Sequence, residues 1–285
     1  SRVTKPLKKF GVTFNKSVNL PLKILGTNKL KPIKYFENKG SAQVKTSIMI
    51  AALKTEGKTE IIAKKSRNHS EILFKQLKIP IKIKKTKKFD IIEISGKKKI
   101  QAFDYKLPGD ISSASFFIVL TLLSKKSQIL IKNVNVNSSR VGIIKILNKM
   151  GAQIKLTNKK SYKGEKIADI FVKSTNKLKA INCPTALNTS AIDEFLIIFL
   201  VAARAKGISY FRKLSELNHK ESPRLKWGSS ILNKMGIKNE LTSSSLKVFG
   251  NPEIKINKSI NIMNYLKDHR IFMMSTIAAL TFGGK

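Results

Sequence analysis

The sequence predicts an α+β fold built from α/β-like repeats. Apolar helical runs begin at a small or acidic residue, and their starts recur at intervals of about 75 residues. After each of the first three runs comes a turn and then a short segment rich in β-branched residues, which indicates the order helix, turn, strand. The starts of the runs are Ser41, Ser113, Asp193 and Asp268.

The first helix of each repeat should be buried on nearly all sides. The run at 195–201 contains no polar residue, and a helix that is apolar around its whole circumference belongs in a core. Strands are expected after the turns that follow these helices, because β-branched and aromatic residues favour a pleated, half-buried surface. These strands are predicted at 59–63, 128–133 and 208–211.

A second helix follows the strand in each repeat. Residues 139–150 and 222–235 carry apolar side chains at helical spacing, and both segments lead into Asn-Lys-Met-Gly. A glycine just past the last apolar residue favours a left-handed C-terminal cap. The corresponding helix at 68–77 has no such glycine and leads into an alternating strand at 79–83. This order of elements predicts helices that bury against sheets.

The chain is long enough for two domains, and a boundary is predicted near residue 107. A Leu-Pro-Gly turn at 107–109 separates two repeats and follows a charged segment at 84–106. We therefore predict one domain over 1–106 and a second over 107–285.

The formal net charge of +39 first suggests a nucleic acid or an anionic membrane as partner. Only seven of the 56 basic residues are arginines, although base-edge and phosphate contacts favour the planar fork of arginine. The lysines are scattered among Asn and Ile along the whole chain, which indicates a compositional bias of exposed positions. We therefore expect no nucleic-acid and no membrane partner. A positive surface would still concentrate small polyanionic substrates.

Several other chemistries find no support. Cys183 is the only cysteine, so the sequence fits a reducing compartment, the cytoplasm. No apolar stretch approaches the ~20 residues of a membrane-spanning helix. The histidines and the cysteine are dispersed, and no glycine-rich phosphate loop is present, so we expect no metal and no cofactor. Cys183 is interpreted as a buried small residue, not a nucleophile.

Two arginines are placed against the helix dipole. Arg224 and Arg270 each lie in the first turn of a predicted helix, where a cation is disfavoured by ~0.3–1 kcal/mol at exposed sites. Helix N-termini bind anions, so such an arginine indicates an anion in front of it. For either arginine alone, a solvated or salt-bridged side chain is the preferred interpretation, and the occurrence of both in corresponding repeats brings the anion site closer to it.

Acidic residues at two helix starts are candidates for chemistry. Asp193 opens the most apolar helix, where its carboxylate either caps the helix or orients and deprotonates a substrate hydroxyl. Lys220 and Glu221 share a loop-to-helix junction with Arg224. This junction is either an ordinary charged helix start or a set of positioned reactive groups.

The first repeat offers a third polar helix start. Ser41 and Gln43 supply a hydroxyl and an amide that either contact a phosphate or cap the helix. Arg67 precedes the partner helix at 68–77, again near an N-terminus.

Taken together, these segments resemble the 5-enolpyruvylshikimate-3-phosphate synthase family, in order and over essentially the whole chain. The matching words are SAQVK at 41–45, SRNHSE at 66–71, GDISSA at 109–114, IDE at 192–194, KESPR at 220–224 and DHRI at 268–271. The enolpyruvyl transferase that acts on UDP-N-acetylglucosamine shares the fold, but its pattern lacks the KES-x-R and SAQVK words. It remains an alternative, as does a non-catalytic basic protein that binds polyanions.

The resemblance implies a two-domain enolpyruvyl transferase fold, an inside-out α/β barrel of repeated βαβαββ units. Here it would be incomplete, with 1–106 the remaining part of the N-terminal domain and 107–285 most of the C-terminal domain. The implied reaction transfers the enolpyruvyl group of phosphoenolpyruvate to the 5-hydroxyl of shikimate 3-phosphate and releases phosphate, in chorismate and aromatic amino acid biosynthesis. The resemblance implies a monomer that needs no cofactor.

The resemblance also implies roles for the candidate residues. Shikimate 3-phosphate would be bound by Ser41, Gln43, Arg67, Asp193 and Lys220. Phosphoenolpyruvate would be bound by Gln43, Arg224 and Arg270. The implied catalytic residues are Asp193, which deprotonates the 5-hydroxyl, Glu221, which protonates the methylene carbon, and Lys220, which stabilises charge.

The chain departs from the family pattern in two respects. Pro223 stands where the family usually has Asp, and proline suits the first position of a helix. The family's N-terminal Lys-Ser…Arg, Asn-x-Gly-Thr and Arg-Pro-Met words would precede Ser1, and a Lys-bearing segment would follow Lys285. We therefore expect the 285 residues alone to bind substrate poorly and to turn over negligibly.

Overall fold

The computed structural model describes residues 2–15, 21–96 and 99–284. The chain divides into two compact units, and each is described by itself. Unit 1 comprises residues 1–106 and 163–165, and unit 2 comprises residues 107–162 and 166–285. The assignment of these parts to an N-terminal and a C-terminal domain stays a prediction.

Unit 1 is built around a four-stranded sheet with the order β3-β4-β6-β5. Strands β3 and β4 are parallel, and the other neighbours are antiparallel. The short strands β1 and β2 form a separate antiparallel pair. The elements are α1 (Thr4–Lys9), β1 (Thr13–Phe14), β2 (Ile24–Leu25), β3 (Lys34–Glu37), α2 (Ala42–Ala52), β4 (Lys58–Lys64), α3 (His69–Gln76), β5 (Ile81–Lys85) and β6 (Phe89–Ser95).

Unit 2 contains two three-stranded sheets, with the orders β7-β9-β8 and β10-β12-β11. Its helical elements are α4 (Ile111–Leu123), α5 (Gly142–Lys149), α6 (Asn188–Ala191), α7 (Phe195–Arg204), α8 (Arg224–Lys234) and α9 (His269–Phe282). Its strands are β7 (Gln128–Asn135), β8 (Gln153–Tyr162), β9 (Glu165–Lys173), β10 (Gly207–Phe211), β11 (Asn239–Leu241) and β12 (Leu246–Gly250).

The repeat expected from the sequence is confirmed. Each copy follows the order helix, strand, helix, strand, strand, and in each sheet the last strand of the copy lies between the other two. In unit 1, β3 adds a parallel strand beside β4 and completes a βαβαββ unit. Isolated parallel bridges take this position in unit 2, at Gly109–Val134, Lys179–Lys206 and Asn182–Tyr210.

The most apolar helices form the inside of unit 2. Every residue from Phe195 to Ala203 in α7 is buried, and α4, α7 and α9 contact one another. The rings of Phe199 and Phe211 pack with centroids 5.1 Å apart. The prediction of burial on nearly all sides is therefore confirmed for α7, whereas α2 and α4 leave Ile50 and Phe117 exposed. Among the described residues, none of the helices combines the length and the apolar character that crossing a bilayer requires.

The predicted glycine caps are also confirmed. Gly151 and Gly236 adopt φ values of +90° and +79° just after α5 and α8. The next backbone N–H folds back in both cases, from Ala152 to the Leu147 oxygen at 3.0 Å and from Ile237 to an α8 carbonyl at 2.9 Å. The glycine-free copy after α3 places Lys78 in the same left-handed region, with φ +54°.

Several predicted helix starts were wrong. Helix α4 begins at Ile111, because Asp110 Oδ2 accepts the Ser113 N–H at 3.1 Å and caps the helix before that serine. Helix α7 begins after Glu194, which makes no side-chain capping bond, so Asp193 is not an N-cap. The second helices of the repeats begin later than predicted, α5 at Gly142 and α8 at Arg224, after Pro223.

Candidate active site

In unit 1, the carboxyl ends of β3 and β4 lead into the candidate residues. After β3, the buried carboxylate of Glu37 accepts the backbone N–H groups of Lys39 at 2.9 Å and Gly40 at 2.8 Å, which orders the loop before α2. Ser41 then caps α2, because its Oγ accepts the Val44 N–H at 3.3 Å. The hydroxyl of Ser41 is therefore held at a helix N-terminus, where anions bind favourably.

Arg67 lies in the loop after β4, close to the start of α2. A Cβ atom on Gly40 would lie 3.3 Å from the Lys65 oxygen, so the two loops approach closely. Lys45 Nζ, on α2, donates to the backbone oxygen of Arg67 at 2.7 Å. Gln43 is exposed in the first turn of α2. The structure thus brings the three unit 1 candidates to one end of the sheet.

In unit 2, the Arg224 side chain is only 1% exposed and is surrounded by carboxylates. Its Nε lies 2.8 Å from Asp268 Oδ2, its Nη1 lies 3.3 Å from Asp193 Oδ1, and its Nη2 lies 2.5 Å from Glu221 Oε2. Ser222 Oγ also donates to Asp268 Oδ2, at 2.7 Å. The starts of α8 and α9 are therefore joined through one buried guanidinium.

Arg270 and Lys220 complete this cluster. Arg270 Nη1 donates to the backbone oxygen of Asp193 at 3.0 Å and lies 4.0 Å from Glu194 Oε1. Lys220 Nζ lies 3.5 Å from Asp193 Oδ1. Asp268 caps α9 by accepting the Arg270 N–H at 2.9 Å. Five of the sequence-predicted site residues thus lie together at the N-terminal ends of α7, α8 and α9.

The cluster holds Asp268 in its ionised form. Burial alone would raise the pKa of this carboxyl, but the bonds from Arg224 and Ser222, the Arg224 charge and the Arg270 N–H together bring its pKa below the usual value of 3.8. Asp268 was expected only as the start of a helix. Its binding of Arg224 was missed, since the two residues are 44 positions apart in the chain.

A second polar chain, which sequence reasoning missed, leads away from Arg270. Ser112 Oγ donates to Glu194 Oε1 at 2.5 Å, and Arg140 Nη2 donates to Ser112 Oγ at 2.6 Å and to Asp110 Oδ1 at 2.8 Å. Asp110 and Ser112 lie within one of the matching words, which was the available signal. No local pattern pointed to Arg140.

Glu194 is the buried carboxyl of this chain, only 1% exposed. Burial raises its pKa above the usual 4.5, and the neighbouring Asp193 raises it further. The bond from Ser112 and the charges of Arg140 and Arg270 oppose that rise. The pKa of Glu194 is therefore raised overall, whereas the pKa of Asp268 is lowered.

The contacts of Arg224 and Arg270 bear on the two interpretations of these arginines, an anion site or a salt-bridged side chain. Arg224 is salt-bridged in the structure, as the interpretation preferred for either arginine alone predicted. Arg270 is also salt-bridged, to Glu194 Oε1 at 4.0 Å, and it donates a hydrogen bond to the backbone oxygen of Asp193. The proposed contacts of both arginines with phosphoenolpyruvate stay predictions, and so do the substrate roles of the other candidates.

Cys183 is buried, and burial raises the pKa of its thiol to about 11. Its interpretation as a buried small residue is therefore confirmed. Within residues 2–15, 21–96 and 99–284, the structure shows no group of three or more His, Cys, Asp or Glu side chains arranged to hold a metal ion.

A family model described as EPSP synthase (3-phosphoshikimate 1-carboxyvinyltransferase) matches residues 1–285. The chain belongs to the EPSP synthase family. The family predicted from the sequence words is thereby confirmed, and neither alternative is favoured.

Curated relatives in the EPSP synthase family agree over nearly the whole chain. The 3-phosphoshikimate 1-carboxyvinyltransferase of Petrotoga mobilis is 38% identical over 284 residues, which cover 98% of this chain and 64% of that protein. The protein of the same name from Thermoanaerobacter pseudethanolicus is 39% identical over 287 residues, 100% of this chain and 66% of the relative. The chain therefore spans about two thirds of the length of these relatives.

Solved structures agree on the fold. An EPSP synthase from Acinetobacter baumannii is similar with a TM-score of 0.83 and 32% identity, over 99% of this chain and 64% of that one. The enolpyruvyl transferase NikO from Streptomyces tendae has a TM-score of 0.74 over 99% of this chain and 65% of that one, but at 15% identity it bears on the fold alone. The predicted α+β enolpyruvyl transferase fold is confirmed.

Proposed function

We propose that the protein containing this chain transfers the enolpyruvyl group of phosphoenolpyruvate to the 5-hydroxyl of shikimate 3-phosphate and releases phosphate. Membership of the EPSP synthase family supports the reaction. The observation that carries the proposal is the cluster in unit 2, where two guanidiniums and one ammonium surround Asp193. Both substrates are anions, and fixed cations at helix N-termini suit them.

Phosphoenolpyruvate is assigned to Arg224, Arg270 and Gln43. The side chain of Glu221, which contacts Arg224 Nη2, is 58% exposed. An incoming carboxylate can therefore displace Glu221 from this nitrogen while Asp268 keeps its hold on Arg224 Nε. The guanidinium stays oriented by a buried partner and exchanges only its exposed one.

Shikimate 3-phosphate is assigned to Ser41, Gln43 and Arg67, and also to Asp193 and Lys220. Support comes from the position of Ser41 at the N-terminus of α2 and from the proximity of Arg67 to that helix. A helix N-terminus is a favourable phosphate site, and an arginine from a neighbouring loop can add charge-assisted hydrogen bonds.

The chemistry follows as addition and elimination. Asp193 accepts the proton of the 5-hydroxyl while the hydroxyl oxygen forms a bond to C2 of phosphoenolpyruvate. At the same time Glu221 protonates the methylene carbon. In the tetrahedral intermediate the new methyl group then returns a proton to the Glu221 carboxylate as the C2–O bond to phosphate breaks, which gives the enol ether and free phosphate. Lys220, 3.5 Å from Asp193, stabilises the charge that develops.

Two substitutions in the whole protein test these roles by phosphate release. Asp193→Ala should lower kcat about 10²–10⁴-fold, the usual contribution of a positioned acid–base group. Arg270→Ala should chiefly raise the KM of phosphoenolpyruvate, by about 10–100-fold, because it removes a charge-assisted bond of about 1.5–3 kcal/mol. Arg212→Ala, at an exposed arginine of unit 2, is the control. Small and equal effects of the two site variants would remove the role assignment.

We also propose that the protein acts as a monomer in the cytoplasm, without a nucleic-acid partner. The single cysteine supports a reducing compartment. Binding to nucleic acid through charge alone would weaken steeply with salt and would be indifferent to shikimate 3-phosphate.

A further inference from the structure

Unit 1 contains a buried ion pair next to the loop that carries Arg67. Lys45 Nζ on α2 lies 2.6 Å from Glu71 Oε1 on α3, and the two side chains are only 1% and 5% exposed. Two charges removed from water to this extent gain little net stability, and an apolar pair of similar volume is often as stable or more stable. A structural role alone therefore explains this pair poorly.

The buried pair of Lys45 and Glu71 is hydrogen-bonded to the loop that carries Arg67. The ammonium of Lys45 also donates to the Arg67 backbone oxygen at 2.7 Å, whereas the second carboxylate oxygen of Glu71, Oε2, is buried and has no hydrogen-bond partner in the part of the chain that the structure describes. One cation thus joins α2, α3 and the loop at 66–68, which belongs to neither helix nor strand.

We propose that Lys45 is a positioning residue, which with Glu71 fixes the backbone at Arg67 and so directs the Arg67 guanidinium to the phosphate of shikimate 3-phosphate. The inference rests on the proposed function for the identity of that ligand. Precise placement matters here, because a shift of about 1 Å in a binding group can cost on the order of 10²-fold in rate.

The deciding variant replaces both charges with similar, uncharged side chains, Lys45→Met together with Glu71→Met. In the whole protein this variant should keep or raise the melting temperature, because no unpaired charge remains in the core. The KM of shikimate 3-phosphate should rise about tenfold or more, and the KM of phosphoenolpyruvate should stay unchanged. Lys45→Met alone should lower the melting temperature, since Glu71 is then buried without its cation.

The matched control is Lys58→Met together with Glu93→Met. This pair also joins two elements of unit 1, β4 and β6, at 3.4 Å, but its side chains are 67% and 34% exposed. The control should leave the KM of shikimate 3-phosphate unchanged. The inference is overturned if the buried double variant keeps its KM for shikimate 3-phosphate, or if it loses stability and affects both substrates equally.

A ligand-free measurement separates this inference from the proposed function. Hydrogen exchange of the backbone amides at 66–68 should be faster in the buried double variant than in the wild type and the control, at equal global stability. Unchanged exchange would overturn the positioning role whatever the substrate is. Failure of the wild-type protein to bind shikimate 3-phosphate would instead overturn the proposed function, and the assigned ligand with it.

Discussion

At the scale of single residues, Arg224 is the largest fully buried side chain among the described residues. Arg224→Met leaves the carboxylate of Asp268, which is 0% exposed, without its cation, so the free energy of unfolding should fall by about 3–5 kcal/mol. Arg224→Lys keeps the charge but not the planar fork, so its loss should be about 1–3 kcal/mol. Urea denaturation at pH 7 measures both. Lys226→Met, at an exposed site of the same helix, should change the free energy by no more than about 0.5 kcal/mol. Equal losses for the three variants would contradict the contacts described for Arg224.

Glu194 and Asp268 should give opposite dependences of stability on pH. The pKa of Glu194 is raised above 4.5 in the folded chain, so between the unfolded and folded pKa the folded state binds more protons. The free energy of unfolding therefore falls as pH rises through that window. Glu194→Gln removes this titration, so its stability relative to wild type should increase as pH rises from about 4.5.

The matched variant for this comparison is Asp268→Asn. The pKa of Asp268 is lowered below 3.8, so the stabilisation by its carboxylate is complete above the unfolded pKa and is lost as pH falls through the folded one. The difference in free energy of unfolding between the wild type and Asp268→Asn should therefore become smaller as pH falls. Urea denaturation from pH 3 to pH 8 tests both signs, and parallel curves for wild type and either variant would refute the corresponding assignment.

At the scale of elements, the two glycine caps offer a matched pair. A Cβ atom at Gly236 would have no heavy atom within 4 Å, whereas one at Gly151 would lie 3.0 Å from the Lys177 oxygen. Gly236→Ala should therefore lower the free energy of unfolding by about 1–2 kcal/mol, the cost of a left-handed conformation for a residue with a Cβ atom. Gly151→Ala should lower it by roughly 1 kcal/mol more, because of the close contact. Urea denaturation gives both free energies, provided that the dependence on urea concentration (the m-value) is the same for the two variants and the wild type. An equal or larger loss at Gly236 would contradict the extra cost assigned to the close contact at Gly151.

The same scale shows why the order of elements could be predicted from the sequence and some helix starts could not. Apolar periodicity and the left-handed glycines are local signals, and they predicted the two helices of each repeat, the strand between them, and β5. The remaining strands were not predicted individually, and β6 (Phe89–Ser95) lies within the segment 84–106 that was interpreted only as charged. The cap of α4 was misplaced because a serine at 113 and an aspartate at 110 both suit an N-cap, and only the bond of Asp110 to the Ser113 N–H distinguishes them. For Asp193 the sequence left a cap and a reactive carboxylate as alternatives, and only the structure shows that its carboxylate does not cap α7 but faces Arg224 and Lys220.

At the scale of the whole molecule, the candidate site depends on contacts between distant parts of the sequence. The residues that carry motif words, such as Asp193 and Arg270, could be predicted from the resemblance, but the contact between them spans 77 positions. The bond of Ser112 to Glu194 spans 82 positions and lay beyond any local pattern. Side chains that orient the site residues therefore had to be found in three dimensions.

The net charge should also govern the stability of the whole molecule. With 56 basic and 17 acidic residues, the formal charge of +39 makes the folded chain repel itself. Lys84 is exposed on β5, between the exposed Lys82 and Lys85, and lies opposite Ile91. At about 10 mM salt the melting temperature should therefore rise from wild type to Lys84→Gln, which removes a positive charge, and again to Lys84→Glu, which adds a negative charge, because each step lowers the net positive charge of the molecule.

This increase should shrink in about 0.5 M NaCl, where the Debye length falls to roughly 4–5 Å and the repulsion is screened. Comparing each variant with itself at the two salt concentrations cancels the change in strand propensity, which does not depend on salt. Differential scanning fluorimetry gives the melting temperatures. Differences between the variants that stay the same in both salts would show that local strand preference, not the charge of the molecule, sets them.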